Sequence, residues 1–116
     1  YLKNRASRVI KSPKLYLADS GLACYLTGVR TLKTDPSRGA MLETYVAQNL
    51  AGLIAAKMPE ASLHFWNVQG RYEVDFIVEA GSRSIACEVK MAARWEDRDL
   101  VGLKAFLERP HALGEF

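Results

Sequence analysis

Residues 71–91 read RYEVDFIVEAGSRSIACEVKM. The pattern predicts two strands joined by a short turn at Ala80-Gly81-Ser82. In the first, Val74, Phe76 and Val78 alternate with Glu73, Asp75, Ile77 and Glu79. In the second, Ile85, Cys87, Val89 and Met91 alternate with Ser84, Ala86, Glu88 and Lys90. Successive strand side chains point to opposite faces, so Glu88 and Lys90 share one face and Val89 takes the other. Asp75 lies on the polar phase of the preceding strand. If the strands are neighbours, Asp75, Glu88 and Lys90 converge. Two carboxylates beside an amine are costly to gather unless a cation or a reaction uses them.

Working outward, residues 63–68 (LHFWNV) are rich in aromatics and predict a third strand. Before it, residues 39–57 carry Leu42, Tyr45, Val46, Asn49, Leu50, Leu53 and Ile54 at three- and four-residue steps, one wide face of a long helix that Pro59 ends. Glu43 lies at the edge of that face. After the hairpin, residues 96–108 predict a helix with a stripe of Leu100, Leu103, Phe106 and Leu107. Glu96, Asp97 and Asp99 lie near its positive end, and Arg109-Pro110 closes it. Upstream, residues 14–18 predict a short strand with Leu15 and Leu17 on one face and Lys14 and Tyr16 on the other. Asp19 caps a short helix over residues 20–27 that buries Leu22, Ala23 and Leu26 and stops at Gly28. The order is helix, three strands, helix, an α/β pattern with a central mixed sheet, preceded by a short strand-helix segment.

Composition is ordinary for a globular domain. The 116 residues are 49% apolar and 25% charged, with net charge +3. Charge is uneven: residues 1–38 carry eight basic and two acidic residues, and residues 39–116 eight basic and eleven acidic. The basic arm is either a phosphate-binding feature or a solvated linker. No apolar run is long enough for a membrane span. The first fourteen residues hold five basic residues and no apolar signal region. Cys24 and Cys87 lack metal or redox spacing, which fits a cytoplasmic protein with reduced thiols. Both ends read as cut from a longer polypeptide. We divide the chain into a basic connecting segment, 1–38, and a domain over 39–116 that is truncated at its C-terminus.

Glu88-Val89-Lys90 alone is a short and common triplet, and its plain reading is a solvated strand edge. Asp75 in phase on the adjacent strand and Glu43 on the packing helix strengthen it. Magnesium takes one or two protein carboxylates, with waters and substrate phosphate completing an octahedron. Asp75 and Glu88 supply such oxygens, with the Val89 carbonyl nearby. Lys90 is placed to assist an attacking water or to steady phosphate charge, and Glu43 to orient a metal-bound water. His64, on an aromatic strand, has no second ligand at suitable spacing and reads as structural. Phe65, Trp66 and Tyr72 read as core rather than as base-stacking platforms. Lys14 and Tyr16 read as strand surface, and Gln69 and Arg71 as turn residues that also suit a phosphate.

These residues resemble the PD-(D/E)XK, or restriction-endonuclease-like, superfamily, with Glu43 on the first helix, Asp75 on the second strand and Glu88 and Lys90 on the third. Val74 stands where that pattern usually has proline. Four blocks also look like the domain-of-unknown-function 4143 family: SPKLYLADSGLACYLTG (12–28), GAMLETYVAQNL (39–50), LHFWNVQGRYEVDFIVE (63–79) and ACEVK (86–90). That resemblance implies the C-terminal domain of a bacterial or archaeal protein with an AAA+ ATPase domain upstream. No phosphate-binding G-x-x-x-x-G-K-[ST] loop occurs here, so ATP hydrolysis is not expected of this chain. Two functions follow as expectations. One is Mg²⁺- or Mn²⁺-dependent phosphodiester hydrolysis of DNA, with Glu43, Asp75, Glu88 and Lys90 catalytic and Asp75, Glu88 and Val89 holding metal. The other is a non-catalytic module with the same fold that binds nucleic acid or a partner.

Overall fold

The computed structural model describes residues 14–68 and 70–108. Residues 1–13, Gln69, and 109–116 lie outside them, and with them four of the eight basic residues of the segment 1–38, the Arg109-Pro110 stop and His111. The described chain forms α1 (Ser20–Thr27), α2 (Arg38–Lys57), β1 (Ser62–Val68), β2 (Tyr72–Ala80), β3 (Arg83–Cys87), a 3-10 turn (Asp97–Leu100) and α3 (Val101–Glu108). The strands form one sheet in the order β1-β2-β3. Both pairings are antiparallel, so among the described residues the sheet is not the mixed one expected from the element order.

Local chemistry sets the boundaries. Asp19, in extended backbone, accepts from the Leu22 amide at 2.7 Å and starts α1. Gly28 ends it in the left-handed region at φ 74°, which costs glycine little. Gly81, at φ 59°, turns β2 into β3. Glu96 and Asp99 form a reciprocal capping box that opens the last helical stretch.

The register of β2 holds the first correction. His64 pairs with Ile77 and Trp66 with Val74, so Phe65 alone opposes both Asp75 and Phe76. This β-bulge resets the alternation of β2. Val74 and Ile77, expected on opposite faces, share one cluster with Trp66, Ala105 and Phe106 under α3. Phe76 turns to the other side, where its ring meets Tyr16 at a centroid distance of 5.7 Å. Every residue from Val74 to Val78 is buried, which a regular half-buried strand would not allow. Trp66 and Phe106 pack edge to face at 5.4 Å and 78°. Gly102 lets α3 sit directly on β2, since a Cβ there would lie 2.0 Å from the Glu73 carbonyl oxygen.

The helices bury less than their periodicity predicts. In α1 only Ala23 is buried, while Leu22 and Leu26 are exposed. In α2 the buried residues are Met41 and Ala47, whereas Tyr45 and Leu53 of the expected face are exposed. In α3 Phe106 is buried with Ala105, and Leu107 faces out. Residues 14–18 have no ladder partner among the described residues and are not the expected strand. Their alternation persists with its sense reversed: Leu15 and Leu17 are exposed, and Lys14 and Tyr16 face the protein. None of the described helices is long and apolar enough to cross a membrane.

Candidate functional site

The site lies where the strap of residues 14–17 crosses the sheet face beside α2. Lys14 is its hub. The Lys14 ammonium lies 3.2 Å from Glu43 Oε1 on α2, 2.6 Å from Glu73 Oε1 and 3.2 Å from Asp75 Oδ1 on β2. Its three N–H donors match three carboxylates. The Tyr16 hydroxyl donates to the same Oε1 of Glu43. On the other side of Asp75, Oδ2 accepts from the Val89 backbone N–H at 2.9 Å. Asp75 is therefore gripped from both sides, and its side chain is only 11% exposed.

Neighbours on β2 complete the arrangement. Glu73 and Asp75 sit two residues apart, before the bulge takes effect, so both meet Lys14. Asn67 on β1 donates to Glu73 Oε2 at 3.1 Å and holds that carboxylate in place. β3 ends at Cys87, one residue before Glu88. Leaving the ladder there frees the Val89 amide for Asp75 in place of a strand partner.

Charge follows the geometry. Burial raises the Glu88 pKa, and the Asp75 charge raises it further, to about 7. One Glu88 oxygen, Oε2, is buried without a hydrogen-bond partner among the described residues. Burial opposes the charge of Lys14, yet the Glu73 hydrogen bond and the charges of Glu43 and Asp75 outweigh it and hold the amine protonated beyond its ordinary range. Burial, then the bond to Glu43, pushes the Tyr16 hydroxyl up. One ammonium thus answers three acidic side chains, with Glu88 beside Asp75 as a fourth.

The structure gathers Glu43, Asp75 and Glu88 as the sequence suggests, on α2, on β2 and just past β3. It does not bring Lys90 to them. The Lys90 ammonium lies 2.6 Å from Asp99, which holds that carboxyl below its ordinary range. Val89 meets Asp75 through its N–H. Lys14, Tyr16 and Glu73 are participants that the sequence reading passed over. Two signals pointed to them: the i, i+2 phase of Lys14 with Tyr16, and that of Glu73 with Asp75. His64 pairs locally, with Ser62 at 2.8 Å and Glu79 at 3.4 Å, in keeping with a structural role.

The donor set has partial affinity of form for a hard divalent cation. Asp75 and Glu88 offer two carboxylates, the number such an ion commonly takes from protein, and Glu88 has an unused buried oxygen. Among the described residues no group of three or more His, Cys, Asp or Glu is arranged to hold a metal ion. The ammonium of Lys14 lies among Glu43, Glu73 and Asp75 and pairs with all three.

Comparison with known proteins places the chain. The family described as Domain of unknown function (DUF4143) matches residues 38–115. Uncharacterized protein Rv2008c of Mycobacterium tuberculosis and uncharacterized protein Mb2031c of Mycobacterium bovis are each 33% identical over 93 residues, covering 78% of this chain and 20% of theirs. The chain thus spans about a fifth of the length of the curated relatives it matches. No solved structure matches it. The family match covers the long helix, the whole sheet and the last helix, and with them all four carboxylates, Glu43, Glu73, Asp75 and Glu88; the chain belongs to the DUF4143 family.

Proposed function

We propose that this domain is a divalent-cation-dependent phosphodiesterase module acting on DNA, with a restriction-endonuclease-like core. The observation that carries the reading is the nearness of Asp75 to Glu88 at the exit of β3, with a buried Glu88 oxygen that has no partner among the described residues. The succession α2, β1, β2, β3, α3, with the strands as an antiparallel meander, supports the core. Asp75 and Glu88 would hold Mg²⁺ or Mn²⁺. Such an ion, when bound, neutralises phosphate charge and makes water a better nucleophile. Glu43 presents its carboxylate from α2, and the raised pKa of Glu88 lets it hold or release a proton near neutrality. The remaining four-fifths of the relatives' length leaves room for the upstream ATPase domain expected from the family resemblance.

The test is cleavage of supercoiled plasmid by the protein with Mg²⁺ or Mn²⁺. Wild type is expected to nick DNA, and Asp75→Ala to lower the rate at least about 100-fold, the scale of removing a group that holds the reacting centre. Cleavage that survives Asp75→Ala would sink this reading. A second reading has its own support: Lys90 is drawn off to Asp99, and Lys14 already neutralises part of the cluster. A non-catalytic module that binds DNA or a partner would show binding without cleavage.

A further inference from the structure

We propose that Trp95, with Arg94 beside it, is a stacking platform for an unpaired base of a DNA strand, so that the domain engages DNA carrying unpaired nucleotides. The inference rests on the DNA-binding half of the function proposed above and requires no metal ion. Two features carry it: how the loop of residues 91–95 is held, and what that loop displays.

One carboxylate pins the loop at both ends. Lys90, at its entrance, places its ammonium 2.6 Å from Asp99 Oδ1. The Glu96 amide, at its exit, donates to Asp99 Oδ2 at 2.9 Å. The Asp99 amide in turn donates to the Glu96 carbonyl at 2.9 Å. The Asp99 side chain is only 7% exposed. It stands on the 3-10 turn that leads into α3, and α3 carries Ala105 and Phe106 of the apolar core. An excursion fastened this way presents its side chains from a fixed base, which lowers the entropy lost on binding. The ion pair that draws Lys90 off from Glu88 therefore has a use of its own: it closes the loop.

The display is apolar and basic. Met91, Ala92, Ala93, Arg94 and Trp95 are all exposed, and none is acidic. Trp95 is 50% exposed and makes no ring contact among the described residues. A lone exposed apolar side chain is commonplace. An exposed indole next to a guanidinium is a more specific pair, since the indole stacks on any base and the guanidinium meets phosphate. The charges around it cancel locally: Glu96 pairs with Arg98 at 2.7 Å, Asp97 with Lys104 at 3.7 Å and Asp99 with Lys90. Arg94 is the cation left over, with no ion pair among the described residues. In an intact duplex both faces of each base are covered by its neighbours, so the indole can stack only on a base that is unpaired or turned out. Lys90, at the loop entrance, follows Glu88 by two residues, so the platform and the candidate site share the same exit from β3.

The experiment titrates the intact chain with a single-stranded oligothymidylate and with a duplex of the same length, without added metal. Tryptophan emission is the first readout. The chain has two tryptophans, and Trp66 is 4% exposed and packed on Phe106, so quenching by a stacked base reports Trp95. We expect the single strand to quench the emission and to bind more tightly than the duplex. Anisotropy of a labelled strand then gives affinities for the variants. Trp95→Ala should weaken single-strand binding at least about fivefold, and Trp95→Phe should restore most of it. Arg94→Ala should lower the slope of log affinity against log salt by about 0.7, the share of one phosphate contact; an unchanged slope strikes Arg94 from the platform. If Trp95→Ala lowers the denaturation midpoint, wild-type quenching and the Trp95→Phe variant decide instead. Single-strand binding that leaves wild-type emission unquenched, that a folded Trp95→Ala retains in full, or that the duplex matches overturns the platform and leaves DNA binding standing. Binding to neither form of DNA overturns both.

Discussion

At the scale of single residues, Glu88 makes the sharpest prediction. Its pKa is raised to about 7 from a model-peptide value of 4.5, burial and Asp75 together disfavouring the carboxylate. Between these two pH values the folded chain binds the proton that the unfolded chain has released. Stability therefore falls as pH rises from about 4.5 to about 7, and the full penalty persists above that. With solvent screening on its open side allowed for, the loss is on the order of 1–2 kcal/mol. Glu88→Gln has no proton to lose. Urea midpoints measured from pH 5 to 8 should show wild type losing stability relative to Glu88→Gln. Parallel curves for the two proteins would mean that Glu88 is not desolvated. Asp75 is the second decisive residue. Its two oxygens accept from Lys14 and from the Val89 amide, so Asp75→Ala strands that amide and removes one of the three carboxylates around Lys14. We expect that change to cost about 2–3 kcal/mol by chemical denaturation, against less than about 1 kcal/mol for Lys90→Ala, whose side chain is 44% exposed and whose partner Asp99 keeps the Glu96 amide as a donor.

At the scale of elements, the bulge in β2 and the approach of α3 matter most. The bulge places Val74 and Ile77 together under Phe106 and leaves Asp75 and Phe76 for the strap side. Gly102 allows the α3 backbone to rest on β2, and an added methyl would meet the Glu73 carbonyl at 2.0 Å. That oxygen belongs to the β2 backbone and cannot move without shifting the strand that carries Asp75. Gly102→Ala should therefore destabilise by about 2–3 kcal/mol, although alanine is the better helix former. A shift in denaturation midpoint equivalent to less than about 0.5 kcal/mol would show that α3 does not pack this closely. Asp19→Ala removes the cap of α1 and should cost about 1 kcal/mol, with glycine at the same position costing less.

At the scale of the whole molecule, the polar cluster ties three separate parts of the chain together: the strap, α2 and β2. The apolar core under α3 does not include the strap or α2. Lys14 and Glu43 should accordingly be energetically coupled. In a double-mutant cycle with Lys14→Met and Glu43→Gln, we expect an interaction of about 0.5–3 kcal/mol, the range for groups in one ion-pair network. Additive single effects would mean that the strap is held by something other than this charge pairing. The half-exposed faces of α1 and α2 follow from the same layout, since their apolar side chains have little described surface to pack against.

The sequence by itself determined the succession of elements from α1 onward, the hairpin turn at Gly81, the caps of α1, and the nearness of Asp75 to Glu88. Those features are local, or follow from the period of two along paired strands, so a one-dimensional pattern carries them. Only the tertiary structure decided which lysine serves the carboxylates. Lys90 shares a strand phase with Glu88, but β3 ends at Cys87, and beyond it Asp99 of the following turn offers a nearer partner. Lys14, 61 residues before Asp75 in the chain, arrives instead through the path of the strap over the sheet. The bulge was likewise invisible, because one extra residue between His64 and Trp66 partners leaves no mark on composition while reversing every face beyond it. Local pattern fixes which side chains can share a face; long-range packing fixes which charges finally meet.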